Sequence, residues 1–337
     1  MKYFYSYYPL RDIKGEDVFF DLICIKLSST ILRNLGKNVG IYSTPPFIQL
    51  LKKYQIELDF YVDIEDKIKD LTTDTLFAVS KVYSNSIQTE PFIQLDCDLI
   101  LFDNFDFDKF EKTNILFHHI EGLDYTASYD VYMWWRELYF DAYYDILKKY
   151  PEIANEKYMT PLIAYNCAIV GGNDWKSLSD GYTEIFNFIR NNKEYVENIN
   201  YYPMPELEQQ LIVGILSKFG NNTYIDDTKS NKIVFLSDKQ DFVLIFKDTN
   251  IILEYNNKSI SMKWDGKFKD FKNKQLLNLV YETFGGHIHL TAAKATIGVK
   301  NLIYEILKIY DKDYVNWLED VYGIQFEFQK KLYSSII

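Results

Sequence analysis

Apolar residues come in short runs set off by polar turns, and two periods alternate along the first third of the chain. Residues 2–8, Lys2 to Tyr8, read as a strand. From Asp17 to Asn34 the stripe Phe20, Ile23, Leu27 and Ile31 returns every three or four positions, which predicts a helix stopped by Gly36. A strand at Val39 to Ser43 follows, and Pro46 opens a helix running through Lys53. Asp59 to Val62 is strand-like, Leu76 to Gln88 is helical, and Pro91 to Leu95 begins an apolar run that ends in acidic residues. Three such alternations predict an α/β fold with a mostly parallel sheet flanked by helices, a class whose ligands bind beyond the carboxyl ends of the strands.

Further along, Ile115 to His119 predicts a strand, Tyr129 to Lys149 an aromatic helix, and Ile163 to Val170 a strand ended by Gly171 and Gly172. Helices follow near 175–191 and 206–219, with 190–201 the most loop-like stretch. Between Lys232 and Trp264 the period becomes two: KIVFL, FVLIF, IILEY and SISMKW alternate with the turn formers SDKQ, KDTN and NNK, which predicts an antiparallel β insertion near 232–264. The segment GGHIHL and helices near 296–309 and 313–321 close the chain, giving three parts: a core at 1–231, the insertion at 232–264, and 265–337 completing the site. There is no internal repeat.

Composition narrows the classes of function. Of 337 residues, 47% are hydrophobic and 25% charged, so a packed core is expected. The 37 basic residues face 48 acidic ones, and a net charge of -11 argues against nucleic acid or an anionic bilayer as partner. Cys24, Cys97 and Cys167 match no metal spacing, which predicts reduced thiols in a cytoplasmic protein. No apolar run reaches the roughly 18 residues of a transmembrane segment, and MKYFYSYYPL has no basic leader.

Candidate chemistry begins with EPFIQLDCDLILF, residues 90–102, where an apolar strand delivers Asp96 and Asp98. Continued alternation would put both carboxylates on one face, and hard oxygen donors held that close suit Mn2+ or Mg2+ bound with a diphosphate. A solvated turn is the plain alternative. In GGHIHLTAAK, residues 285–294, His287 and His289 form a second i, i+2 pair, of which His289 is preferred to complete the metal shell, while Lys294 could meet diphosphate oxygens. AYNCAIVGGND, residues 164–174, offers Asn166, Asn173 and Asp174, with Gly171 and Gly172 able to admit a sugar close to the backbone or simply to form a turn and helix cap. PELEQQL, residues 205–211, places Glu208 and Gln209 at a helix start, as pocket lining or as first-turn capping. Lys81 could meet a donor phosphate or sugar, or be a surface lysine. His118 and His119 read as structural or pocket-lining residues.

The order Lys81, PFIQLDCDLIL, YNCAIVGGND, Glu208-Gln209 and a late His and Lys resembles a bacterial family known only as a domain of unknown function. That family in turn is similar to GT-A glycosyltransferases, particularly those of family 8. The resemblance spans roughly residues 1–300. It implies a GT-A-like, Rossmann-like fold, a nucleotide-diphospho-sugar donor such as a UDP-sugar, and a metal held by Asp96 and Asp98. By position, Asp98 would bind metal, Asp96 metal or the donor ribose and sugar, His289 would complete coordination, and Asn166 would face the sugar. Glu208 and Gln209 fall where the family meets the transferred sugar or acceptor. The K-P-W ending usual in family 8 is absent here, and the His to Lys spacing is one residue shorter.

The expected activity is metal-dependent transfer of a sugar from a nucleotide sugar to an acceptor, whether glycan, peptide or small molecule. An inverting reaction would need a carboxylate base, Glu208 or Asp174; a retaining one could pass the proton to the leaving group. A D-x-D phosphatase is disfavoured because no Gly-Thr follows Asp98, and a nucleotidylyltransferase because no Gly-rich loop follows the first strand. The remaining alternative is a noncatalytic sugar- or protein-binding relative.

Overall fold

The computed structural model describes residues 1–9, 16–72, 76, 78–118, 120–122, 148, 163–197, 208–209, 211–218, 233–235, 243–247, 250–255, 258–263, 286–290 and 297–322. The expected helix at 129–149, save Lys148, and Lys294 lie outside them. No helix among the described residues is long and apolar enough to cross a membrane.

Five strands, most of them buried on both faces, organise the molecule: β1 (Lys2–Ser6), β2 (Asn38–Ser43), β3 (Phe60–Asp63), β4 (Phe92–Leu95) and the short β5 (Leu99–Leu101). β1 lies between β2 and β4, and β2 pairs with β3, all parallel. Side chains on β1 point alternately to two cores. Tyr3 and Tyr5 pack with α1 (Glu16–Asn34), α2 (Pro45–Lys53) and two late helices, α9 (Ile297–Tyr310) and α10 (Lys312–Tyr322). Phe4 packs on the other face, where α3 (Glu65–Ile68), α4 (Val79–Ser86), α6 (Trp175–Asn191) and α8 (Leu211–Lys218) meet. Two short helices, α5 (Phe107–Phe110) and α7 (Lys193–Glu197), are also among the described residues.

The stripe expected on α1 is buried, and its end is the one Gly36 was expected to make. Gly36 has φ of 74°, its N–H donates to Arg33 O, and Lys37 N–H donates to Leu32 O, a pair of reversed bonds that satisfies the last carbonyls.

Beyond β4 the sheet continues through β9 (Ile169–Gly172), β6 (Ile115–Phe117) and β10 (Ile233–Phe235), making seven strands in the order β10-β6-β9-β4-β1-β2-β3. β9 runs against its neighbours and β10 runs parallel to β6. The fold is therefore mixed α/β with a mostly parallel sheet, as the periodicity predicts. The stretch 190–201, expected as the most loop-like, carries the end of α6 and the helix α7, and three readings of strands change. KIVFL does not join the meander: β10 extends the main sheet, and the antiparallel unit consists of β11 (Val243–Lys247), β12 (Asn250–Tyr255) and β13 (Lys258–Lys263). The strand expected over 163–170 is two, because Asn166 Oδ1 accepts from Ala168 N–H and turns the chain between β8 (Ile163–Tyr165), which pairs with β7 (Ile120–Gly122), and β9.

The third change concerns the aspartates. The strand does not carry through them. It ends at Leu95, and Leu99 N–H donates to Asp96 O at 3.1 Å, closing a turn over Asp96-Cys97-Asp98. The chain then leaves the main sheet as β5 and pairs antiparallel with β14 (His287–His289), with His287 opposite Leu101 and His289 opposite Leu99.

Candidate functional site

The tips of three strands are tied together at the carboxyl end of the parallel sheet. Asp96 N–H donates to Ala168 O at 2.8 Å and His118 N–H donates to Asn166 O at 3.0 Å, so the Asp96 turn, the end of β6 and the 166–168 turn form one platform. The late strand joins it, since Leu290 N–H donates to Asp98 O at 3.1 Å.

Over this platform sits a buried cluster of charge. Lys81, on the first turn of α4, holds its Nζ 2.8 Å from Asp96 Oδ1 and 2.9 Å from Glu208 Oε1. Gln94, one turn of the pleat before Asp96, donates to the same Asp96 oxygen at 3.4 Å. Glu208 is 3% exposed, Asp98 7% and Asn166 6%, so these are interior groups. Burial alone would pull the Lys81 ammonium down, but the Asp96 and Glu208 carboxylates outweigh it and hold its pKa above the usual lysine range. Burial pushes Glu208 up to about 7, against the pull of Lys81 and with a further push from Asp96.

Beside the Asp98 strand, His287 is buried with its ring edge-on to buried His118, centroids 5.4 Å apart. His289 lies nearer Asp98 in register; its side chain is outside the described residues. Behind Glu208, Cys167 Sγ contacts the Glu208 carbonyl at 3.7 Å and Tyr182 Oη at 3.5 Å.

The structure thus gathers Lys81, Asp96, Asp98, Asn166 and Glu208, with half-buried Gln209 next in the chain. Lys81 is not a free cation awaiting a phosphate; its ammonium is already clamped between two carboxylates. Gly171, Gly172 and Asp174 are elsewhere. Because β9 runs downward, Gly172 pairs with Phe92, the first residue of β4, about 13 Å along the strand from Asp96. A Cβ at Gly171 would strike Phe92 O and one at Gly172 would strike Asn114 O, so close strand packing requires both glycines. Asp174 caps α6, accepting from Ser177 N–H. Asn173 is likewise engaged there, its Nδ2 donating to Glu111 O and Thr113 O.

Two contributors escape the sequence reading. Gln94 is fully buried in an apolar strand, a visible anomaly that could have pointed to Asp96. Tyr182 lies far off in sequence and carries no motif. A cavity of about 640 Å³ opens at the other end of the sheet, lined in part by Lys26, Arg33 and Lys37. Those cations pair with Asp311, Asp59 and Glu111, and it holds none of the gathered residues.

A divalent cation fits the chemistry of the Asp96 turn. Asp96 and Asp98, two residues apart in the turn, offer the hard carboxylate oxygens such an ion takes, with one Asp96 oxygen already held by Lys81. Among the described residues no group of three ligating side chains converges, so these residues offer part of a coordination shell.

The chain matches the "Family of unknown function (DUF6734)" over residues 16–263. It belongs to that family. No curated protein matches the sequence. Among solved structures, mouse xyloside xylosyltransferase 1 in its apo form aligns with a TM-score of 0.35 and 11% identity, covering 70% of this chain and 84% of that one. An active-site mutant of LgtC aligns with a TM-score of 0.37 and 8% identity, covering 70% and 72%. At this level of likeness, any functional reading of this DUF6734 member has to rest on its own residues.

Proposed function

We propose that this family member is a metal-dependent glycosyltransferase that takes its sugar from a nucleotide diphosphate donor, a UDP-sugar in the first instance. The observation that carries the reading is the Asp96-Cys97-Asp98 turn at the carboxyl end of the parallel sheet, buried beside a Lys81-bridged second carboxylate. In an α/β sheet that edge is where ligands bind, and paired acidic oxygens there call for a cation.

Asp98, with Asp96, would hold Mn2+ or Mg2+, which when bound supplies a Lewis acid for the departing diphosphate. His289 is the proposed imidazole ligand, with His287 the other candidate. Lys81 keeps Asp96 and Glu208 apart and aligned. Glu208, with its pKa raised to about 7, can accept a proton from an acceptor hydroxyl near neutral pH, whereas Asp174 is committed to a helix cap. Asn166, whose Oδ1 already accepts from Ala168 N–H, and Gln209 would meet sugar hydroxyls.

Calorimetric titration of UDP into the protein with and without manganese, followed by a UDP-sugar hydrolysis screen, tests the proposal. Manganese-dependent UDP binding with turnover of at least one donor is expected. Binding of sugars without nucleotide, and no turnover of any donor, would replace it with a noncatalytic sugar-binding role.

A further inference from the structure

Tyr182 is fully buried on α6, and the positions that follow it along the inner face of the helix are Ile185, Phe186 and Ile189, apolar and buried. A phenylalanine would fill the same space. What the tyrosine adds is a hydroxyl in apolar surroundings, and such a group is costly unless it is bonded. Its partners are the buried Asn85 side chain and Cys167 Sγ at 3.5 Å, and that thiol in turn lies 3.2 Å from Tyr165 O and 3.7 Å from Glu208 O. A phenol donating to sulfur leaves the single thiol hydrogen for a carbonyl, so the run from Tyr182 to Cys167 to the Glu208 segment can be satisfied with both groups neutral. Burial pushes both the Tyr182 phenol and the Cys167 thiol upward, which keeps them so.

Cys167 also lies inside the turn that fixes Asp96. Ala168 O accepts from Asp96 N–H, and Asn166 Oδ1 accepts from Ala168 N–H. One residue therefore stands behind both arms of the charged cluster: the Cys167 side chain touches the Glu208 carbonyl, and the carbonyl of the next residue, Ala168, holds Asp96 N–H.

We infer that Tyr182, acting through Cys167, is a positioning residue that sets the separation of the Asp96 and Glu208 carboxylates across Lys81. Its effect on turnover rests on the proposed function; its effect on the cluster does not. Removal of the hydroxyl in Tyr182→Phe keeps the ring and its packing and takes a bond from both Cys167 and Asn85, and the part of the loss that reaches the cluster is the part coupled to Lys81.

A double-variant cycle in urea unfolding tests the inference on the protein by itself. Combined with Lys81→Gln, Tyr182→Phe is expected to change the unfolding constant by a factor that departs about threefold or more from the product of the two single effects. Ile185→Val, a packing change on the same helix, is expected to combine with Lys81→Gln as a simple product. Glu208→Gln replaces Lys81→Gln in the cycle should the latter fail to fold. In a UDP-sugar hydrolysis assay with manganese, Tyr182→Phe is expected to lower kcat about fivefold with KM within twofold, and Cys167→Ser to retain more activity than Cys167→Ala. A multiplicative cycle for Tyr182→Phe overturns the inference, as does unaltered kcat in an active enzyme. A wild type that turns over no donor defeats the glycosyltransferase reading, and the unfolding cycle then decides the positioning role.

Discussion

Lys81 Nζ stands 2.8 Å from Asp96 Oδ1 and reaches with its other side to Glu208, so one ammonium spaces two acids that would otherwise repel. Lys81→Met removes the cation and leaves both carboxylates facing each other in a buried site. Breaking a buried pair in this way costs about 3 kcal/mol. Chemical denaturation is expected to show a loss of that order, with Lys81→Arg losing less because it keeps the charge. A methionine variant as stable as wild type would mean that the carboxylates are solvated, and the cluster would lose its role.

Asp98→Asn keeps the shape of the turn and removes one negative charge. Calorimetry is expected to show loss of manganese-dependent UDP binding while the melting temperature moves by no more than a few degrees. Unchanged UDP affinity in the presence of manganese would count against the cation site.

Gly172 has φ of 127° and meets Asn114 O where a Cβ would stand. Gly172→Ala is expected to destabilise the fold by about 2 kcal/mol or more, through backbone strain and the clash, while folded protein keeps its UDP affinity. Weakened UDP binding without loss of stability would return this glycine to the ligand site.

The two late histidines separate on two measurements. His287 is buried against His118, so His287→Ala is expected to lower stability by about 1–2 kcal/mol by opening a cavity. His289→Ala is expected to weaken manganese more than His287→Ala does; the reverse ranking in a metal titration would move the ligand to His287.

Glu208 gives the fold a pH dependence. Its carboxyl has an ordinary value of 4.5 and is pushed up to about 7 by burial. Between those values the folded protein holds a proton that the unfolded chain releases, so the contribution of this group to stability is full below pH 4.5 and is lost as pH rises through 7. Relative to wild type, Glu208→Gln should therefore gain in melting temperature from pH 5 to pH 8, measured without metal. A difference that does not vary with pH would show that Glu208 is not the group titrating.

Much of this architecture could be read from periodicity. α1 and α6 carry long buried stripes with a clear stop or cap, and β1 and β2 are short apolar runs before turns. The aspartate turn was less legible, because residues on both sides of it are equally apolar and alternation does not say where a strand hands over to another sheet. The position of Gly171 and Gly172 was hidden by strand direction: β9 runs against its neighbours, which sends its last residues to the end of the sheet away from Asp96. KIVFL looked like its neighbours because a three-residue strand carries no mark of its partner. At the site, the acidic pair and Lys81 could be found from their neighbours in sequence, whereas their junction with Glu208 and Tyr182 depends on packing between helices far apart in the chain.

The bond from Leu290 N–H to Asp98 O also orders events during synthesis. The seven-stranded sheet can be assembled once residue 235 is available, but the Asp98 turn stays open on one side until some fifty further residues have left the ribosome. In a nascent chain the proposed cation site would thus be closed only after the sheet that carries it has formed.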